Sequence, residues 1–132
     1  VAARPGVLAT AADLIAPGDR VLIDARAPEE YRGEAAPPAM PRRGRLPDAL
    51  SLDWRRLTDE AGILDDAGLE RVLAGVPRGR EVVVYCQSAA RSAVLYQALR
   101  HLGFDARNYL GSAGEWLSDP ALPVESGPGR EL

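Results

Sequence analysis

Val82-Val83-Val84-Tyr85 sets four β-favouring side chains in a row with no polar position between them. A strand with one wet face alternates apolar with polar, so an unbroken run predicts a strand buried on both faces of a parallel sheet. Directly after it, residues 91–103 carry Val94, Leu95, Leu99 and Leu102 at the spacing that gathers side chains on one stripe of a helix. The pattern runs from strand straight into helix.

Similar units recur along the chain. Residues 20–24 form a second buried strand that ends at Asp24-Ala25-Arg26, and Pro28-Glu29-Glu30-Tyr31 starts a brief helical turn that Gly33 stops. Ahead of them, Thr10 with Asp13 three residues on is an N-cap pattern, predicting a short helix over 11–16 that ends before Pro17-Gly18. Residues 49–52 read as a short strand, and 66–74 as a helix capped by Asp65 or Asp66 and closed by Gly75-Val76-Pro77. Residues 107–110 are a further strand, Gly111-Ser112 a tight turn and 113–117 a helical turn. Residues 35–47, rich in proline and arginine, are too long and irregular for a plain connector, and such loops often carry binding. Residues 119–132 read as an extended Pro/Gly tail.

Strands alternating with helices predict an α/β fold, an open parallel sheet with helices on both faces. Ligands of such sheets gather beyond the carboxyl ends of the strands. Asp24 and Cys86 each follow one of the two strongest strands, so both are expected at that edge.

Composition narrows the chemistry. With 132 residues the chain suits one domain, 1–132, able to bury a real core. No apolar run approaches bilayer length, and the formal charge of −3 includes no basic half, so neither membrane nor nucleic acid is an expected partner. The short Arg42-Arg43-Gly44-Arg45 stretch reads as a solvated loop. All 16 basic side chains are arginine, which excludes Schiff-base lysine chemistry and a P-loop. Cys86 is the only cysteine and cannot form an internal disulfide. With no secretory signal, this points to a cytoplasmic protein with a free thiol.

Cys86 is also the candidate nucleophile. If the turn Cys86-Gln87-Ser88-Ala89-Ala90-Arg91 curls so that successive N–H groups converge, it forms an anion-binding hollow at the positive end of the following helix. A thiol there ionises below the ordinary value of about 8.5, and the Arg91 guanidinium acts in the same direction. A buried structural cysteine is the competing reading of the same position. His101, at the far end of the helix, reads as an exposed structural side chain rather than a general base.

Several short motifs resemble the rhodanese family of sulfurtransferases, over most of the chain from about Val7 to Pro123. The similarity is strongest to the cysteine-bearing C-terminal domain of tandem thiosulfate/3-mercaptopyruvate sulfurtransferases. Leu22-Ile23-Asp24-Ala25-Arg26 resembles that family's first strand and Asp-x-Arg signature, and Tyr31-Arg32-Gly33-Glu34 the segment that follows. Gly44-Arg45-Leu46-Pro47-Asp48-Ala49 is similar to its Gly-His-Ile-Pro-Gly-Ala motif, and Val84-Tyr85-Cys86 to the opening of its active-site loop. Tyr109-Leu110-Gly111-Ser112-Ala113-Gly114-Glu115-Trp116 resembles the late Tyr-Asp-Gly-Ser-x-x-Glu-Trp motif, and Leu122-Pro123-Val124-Glu125 the usual ending.

The resemblance implies a parallel sheet of about five strands with helices on both sides. It also implies two-step chemistry. Cys86 takes a sulfane sulfur from a small anionic donor, thiosulfate or 3-mercaptopyruvate, and becomes a persulfide; a thiophilic acceptor such as cyanide or a thiol then removes it. The backbone N–H groups of Gln87, Ser88, Ala89, Ala90 and Arg91 hold the transferred sulfur, with Arg32 as a further substrate-binding residue and Asp24 and Arg26 as supporting residues. No metal or organic cofactor is implied, and a protein persulfide is a further possible donor or acceptor. Similar phosphatases and arsenate reductases place five residues between cysteine and arginine, where this loop has four, which favours sulfur over phosphate.

Three departures stand out. Ala89 occupies a position usually held by glycine, and Arg45 and Asp48 replace the histidine and glycine of their motif. Glu30 stands where the resembling tandem enzymes usually carry an arginine for the anionic donor, so Arg32, or Arg91 with one of Arg42, Arg43 and Arg45, is left for that role. A rhodanese-like binding or sulfur-relay module of a longer protein is the alternative to turnover.

Overall fold

Along the chain, β1 (Leu8–Ala9) and α1 (Ala11–Ile15) lead into β2 (Arg20–Asp24) and α2 (Pro28–Arg32). Strand β3 (Leu50–Ser51) is followed by a 3-10 turn at Trp54–Leu57, a hairpin of β4 (Thr58–Asp59) and β5 (Gly62–Ile63), and α3 (Asp66–Val72). Then come β6 (Glu81–Tyr85), α4 (Ala90–His101), β7 (Ala106–Tyr109) and α5 (Ser112–Ser118). This is a computed structural model describing residues 7–132; the first six residues of the expected domain lie outside the described residues.

Five strands form one parallel sheet in the order β1-β7-β6-β2-β3. The two apolar runs pair at its centre, Arg20 opposite Glu81 through to Asp24 opposite Tyr85. Period two then divides their side chains between two cores. Val21, Ile23, Val82 and Val84 pack with Leu69 of α3, Leu73 just past its end, and Leu95 and Leu99 of α4. Leu22, Val83 and Tyr85 face the other way, onto Trp116 and Leu117 of α5, Tyr31 of α2 and Leu46. Burial on both faces is why neither strand alternates, and the α/β class expected from the pattern is the observed one. Replacing buried Leu99 by alanine removes about 2–5 kcal/mol of such packing.

The punctuation works as its chemistry dictates. Thr10 and Asp13 cap α1 reciprocally, each side chain accepting the other's backbone N–H at 3.3 and 2.9 Å. Gly33, at φ 83°, ends α2, and the Asp65 carboxylate accepts the Gly68 N–H to start α3. Helix α3 stops at Val72, earlier than the expected 74, and β7 closes at Tyr109, which leaves Leu110 half exposed beyond the last ladder pair.

Two expectations are corrected. Of the arginines in residues 42–45 only Arg43 is exposed as expected: Arg42 donates to the carbonyls of Trp116, Leu117, Asp119 and Leu122 at and beyond the end of α5, and Arg45 lies buried over the Tyr31 ring, 4.3 Å from its centroid. The tail after residue 118 is fastened as well. Arg45 and Glu125 exchange backbone hydrogen bonds of 2.8 and 3.0 Å, and the Ser51 and Leu132 N–H groups donate to Arg130 and Ser51 carbonyls at 2.8 Å. That segment pairs the otherwise open edge of β3, which removes a row of unsatisfied backbone groups.

Candidate active site

Cys86 is the first residue after β6, almost wholly buried, and four residues later, at Ala90, the chain enters α4. The reversal turns on Ala89, whose φ of 75° and ψ of −8° are left-handed, a region in which a Cβ is strained. This twist directs the first N–H groups of α4 inward. Burial pushes the Cys86 thiol up, but the Ser92 hydroxyl and the backbone N–H groups of Ser92, Ser88 and Arg91 outweigh it and hold the sulfur below the ordinary thiol range.

The turn is braced from outside. The N–H groups of Ala113 and Gly114, at the start of α5, donate to the carbonyls of Cys86 and Gln87 at 2.8 and 3.0 Å. A Cβ on Gly114 would sit 3.0 Å from the Gln87 carbonyl oxygen, a tight contact that would push the loop outward by a few tenths of an ångström, so glycine favours this approach. Ser112 accepts the Cys86 N–H at 3.3 Å and donates to the Tyr109 carbonyl at 2.7 Å. These contacts give the late Gly111-Ser112-Ala113-Gly114 motif a job: it is the outer wall of the cysteine loop.

From beneath, Asp24 and Arg26 form a buried pair at the end of β2. Both carboxylate oxygens accept from the guanidinium, Nη2 to Oδ2 at 2.7 Å, and Oδ1 also accepts the Arg26 backbone N–H at 2.9 Å. Arg26 Nη2 reaches the Gly44 carbonyl at 2.6 Å, tying the 35–47 loop to the strand end. Burial works against the Arg26 charge, but Asp24 more than offsets it and the guanidinium is held above its usual range. Tyr85, wholly buried beside this pair, accepts the Leu46 N–H at 3.1 Å, and burial with the Asp24 charge pushes its phenol well up.

At the mouth, Arg91 donates from Nη1 and Nη2 to the two oxygens of Glu30 at 2.7 and 3.1 Å. Burial raises Glu30, but the Arg91 hydrogen bond and charge, with Arg26 behind, lower it overall, so it stays a carboxylate. Arg32 is engaged elsewhere: it bonds Glu34 at 2.7 Å and pairs with Glu29 and Glu131 at 3.9 and 3.8 Å. Gln87 donates to the Met40 sulfur at 3.1 Å, and its buried Oε1 has no hydrogen-bond partner among the described residues. His101 meets Asp66 at 2.8 Å on the exposed end of α4.

The structure thus assembles Cys86, the 87–91 turn, Asp24 and Arg26, and sets Arg32 against carboxylates. Sequence reasoning missed Ser92 and Asn108. Ser92 follows Arg91 in the first helical turn, a spacing that could have revealed it; Asn108 reaches the loop only because β7 lies beside β6.

A sheet of this order with a cysteine cradle at its carboxyl edge defines a rhodanese-type domain, and comparison with known proteins agrees. Residues 8–119 match the rhodanese-like domain, and the chain belongs to the rhodanese family. It is 37% identical over 112 residues to a thiosulfate sulfurtransferase of Azotobacter vinelandii, covering 81% of this chain and 40% of that protein. It is 33% identical over 121 residues to the sulfur carrier protein TtuD of Thermus thermophilus, covering 83% and 42%. A crystal structure described as "Probable Thiosulfate Sulfurtransferase" superposes with a TM-score of 0.76 at 40% identity, over 92% of this chain and 49% of that one. The chain spans about two fifths of the length of the curated relatives it matches.

Proposed function

We propose that this domain is a sulfurtransferase that moves a sulfane sulfur from thiosulfate, or 3-mercaptopyruvate, to a thiophilic acceptor through a persulfide on Cys86. The observation that carries the reading is the set of donors around one sulfur: three backbone N–H groups and the Ser92 hydroxyl favour its thiolate form. With thiosulfate, the thiolate attacks the outer sulfur, the donor's S–S bond breaks, and sulfite leaves with the electron pair. The same N–H groups then stabilise the terminal sulfur of the persulfide anion. Cyanide attacks that sulfur, thiocyanate departs and the Cys86 thiolate returns; a thiol acceptor leaves as a persulfide instead. The lowered thiol pKa raises the thiolate fraction without a general base.

In this reading Gln87, Ser88, Ala89, Ala90 and Arg91 bind the transferred group, Arg32 contributes only by leaving its carboxylates, and Asp24 and Arg26 keep the strand end rigid. Thiosulfate is the donor that the relatives' names favour, used with modest efficiency because Arg91 is already paired. The reaction suits the cytoplasm, where a lone thiol stays reduced. No helix among the described residues is long and apolar enough to cross a membrane. Cys86→Ser is expected to abolish thiocyanate formation while the circular dichroism and melting curve stay native; persistent turnover would refute the persulfide route.

A second reading, a sulfur-relay module of a longer protein, draws on the resemblance to TtuD and on the share of its relatives that the chain spans. In that case a protein persulfide is the donor or acceptor, and the same Cys86 carries the sulfur.

A further inference from the structure

Arg91 closes the Cys86 loop, yet the charge of its guanidinium is already paired. Both its terminal nitrogens donate to Glu30, and Glu30 is aimed by its own helix, accepting the Ala27 N–H at 3.4 Å. A second bidentate pair lies near, Arg55 donating to Asp53 with a shortest contact of 2.6 Å; Asp53 feels the Arg91 charge and Arg55 feels Glu30. Arg26 is bound to Asp24 and the Gly44 carbonyl. Charges around the cysteine therefore come in pairs, one carboxylate to each guanidinium.

A dianion such as thiosulfate meets no surplus positive charge there. At Arg91 it meets a guanidinium whose charge is already offset by an ionised carboxylate through two charge-assisted hydrogen bonds, and that carboxylate repels it. A donor carrying an ammonium beside a carboxylate meets a different surface. Arg91 uses two of its five N–H donors on Glu30, and Oε2 of Glu30, which accepts only the one Arg91 bond, retains a lone pair. Both side chains keep solvent access, 31% for Arg91 and 16% for Glu30. The pair can accept a zwitterion without being broken, carboxylate toward Arg91 and ammonium toward Glu30.

We propose that Glu30 is a specificity-determining residue that selects zwitterionic α-amino-acid persulfides, such as cysteine persulfide, over dianionic thiosulfate as sulfur donors to Cys86. This rests on the sulfurtransferase reading and names its donor class. The Cys86 thiolate attacks the outer sulfur of R–S–SH, a new S–S bond forms at Cys86, and the donor's S–S bond breaks. The thiolate R–S⁻ leaves with the electron pair and takes the proton from the terminal sulfur, so Cys86 is left as a persulfide anion with no external oxidant or reductant.

The test is the rate at which Cys86 gains sulfur, read by intact mass on the full chain, from three donors: cysteine persulfide, 3-mercaptopropionate persulfide and thiosulfate. The second differs from the first only in lacking the ammonium. The wild-type protein is expected to prefer cysteine persulfide over its deaminated counterpart about tenfold in kcat/KM. Glu30→Gln, equal in shape and uncharged, should erase that preference and raise kcat/KM for thiosulfate about tenfold, whereas Glu30→Asp should keep part of the preference. Equal wild-type rates from the two persulfides, or a preference that Glu30→Gln leaves intact, would overturn the proposal. The wild-type ratio decides alone if a variant does not fold. Loading by thiosulfate only would sink the donor assignment and leave the sulfurtransferase reading standing; loading by no donor would sink that reading itself.

Discussion

The Ser92 hydroxyl lies 2.8 Å from Oδ1 of Asn108, and Asn108 Nδ2 in turn donates to the Ala89 carbonyl at 3.4 Å. A buried side chain from β7 thus clamps the first turn of α4 against the cysteine loop. The Ser92 hydroxyl has one proton and several acceptors in reach: Asn108, the Ala89 carbonyl at 3.2 Å and the Cys86 sulfur. Ionising Cys86 makes the sulfur the strongest acceptor of these, so Ser92 acts on reactivity through the thiolate.

Ser92→Ala is accordingly expected to raise the Cys86 pKa. The folded-state value is depressed, so the thiolate persists to lower pH than in an ordinary thiol and is lost as pH falls through that value. Removing the hydroxyl shifts the pH profile of iodoacetamide alkylation to higher pH and slows the reaction at neutral pH, while Ser92→Thr retains the wild-type profile. An unshifted profile in the alanine variant would show that the backbone N–H groups suffice.

Ala89 supplies a stability prediction. Its φ of 75° costs an alanine about 1 kcal/mol that glycine does not incur, against which glycine gains entropy in the unfolded chain. Ala89→Gly is expected to be neutral to about 1 kcal/mol more stable in urea denaturation, with the loop still able to form its persulfide. A loss of 2 kcal/mol or more would mean that the Cβ packing of this buried residue outweighs the strain.

Asp24 is predicted to matter structurally. Asp24→Asn leaves the Arg26 guanidinium buried without a counter-charge and should cost about 3–5 kcal/mol in unfolding free energy. Because Arg26 holds the Gly44 carbonyl, proteolysis within residues 35–47 should accelerate in parallel. A small stability change with lost sulfur transfer would instead place Asp24 in the chemistry.

Legibility followed sequence distance. The elements that bear the site, β2, β6 and α4, were readable because the strands are apolar on both faces and the helix has one stripe; Ala89 stood out as the replacement of a usual glycine, and its left-handed backbone is seen only in the structure. Strand β1, with two residues, and the β4–β5 hairpin carry too few positions for any period to show. The Glu30–Arg91 clamp joins residues 61 apart, and the Arg130–Ser51 pairing that fastens the C-terminal segment spans the domain. Neither leaves a local pattern. Arg32 looked available as an anion binder, yet its main partner, Glu34 at 2.7 Å, stands only two residues on; of its carboxylates only Glu131, at 3.8 Å, comes from the far end of the chain.

In the proposed reaction Cys86 carries a transferable sulfur. The most direct test is the intact mass of the protein after incubation with a sulfane-sulfur donor, before and after cyanide. A gain of one sulfur that cyanide removes, and that Cys86→Ser never shows, is the predicted result. A mass unchanged by thiosulfate, 3-mercaptopyruvate and cysteine persulfide alike would contradict it.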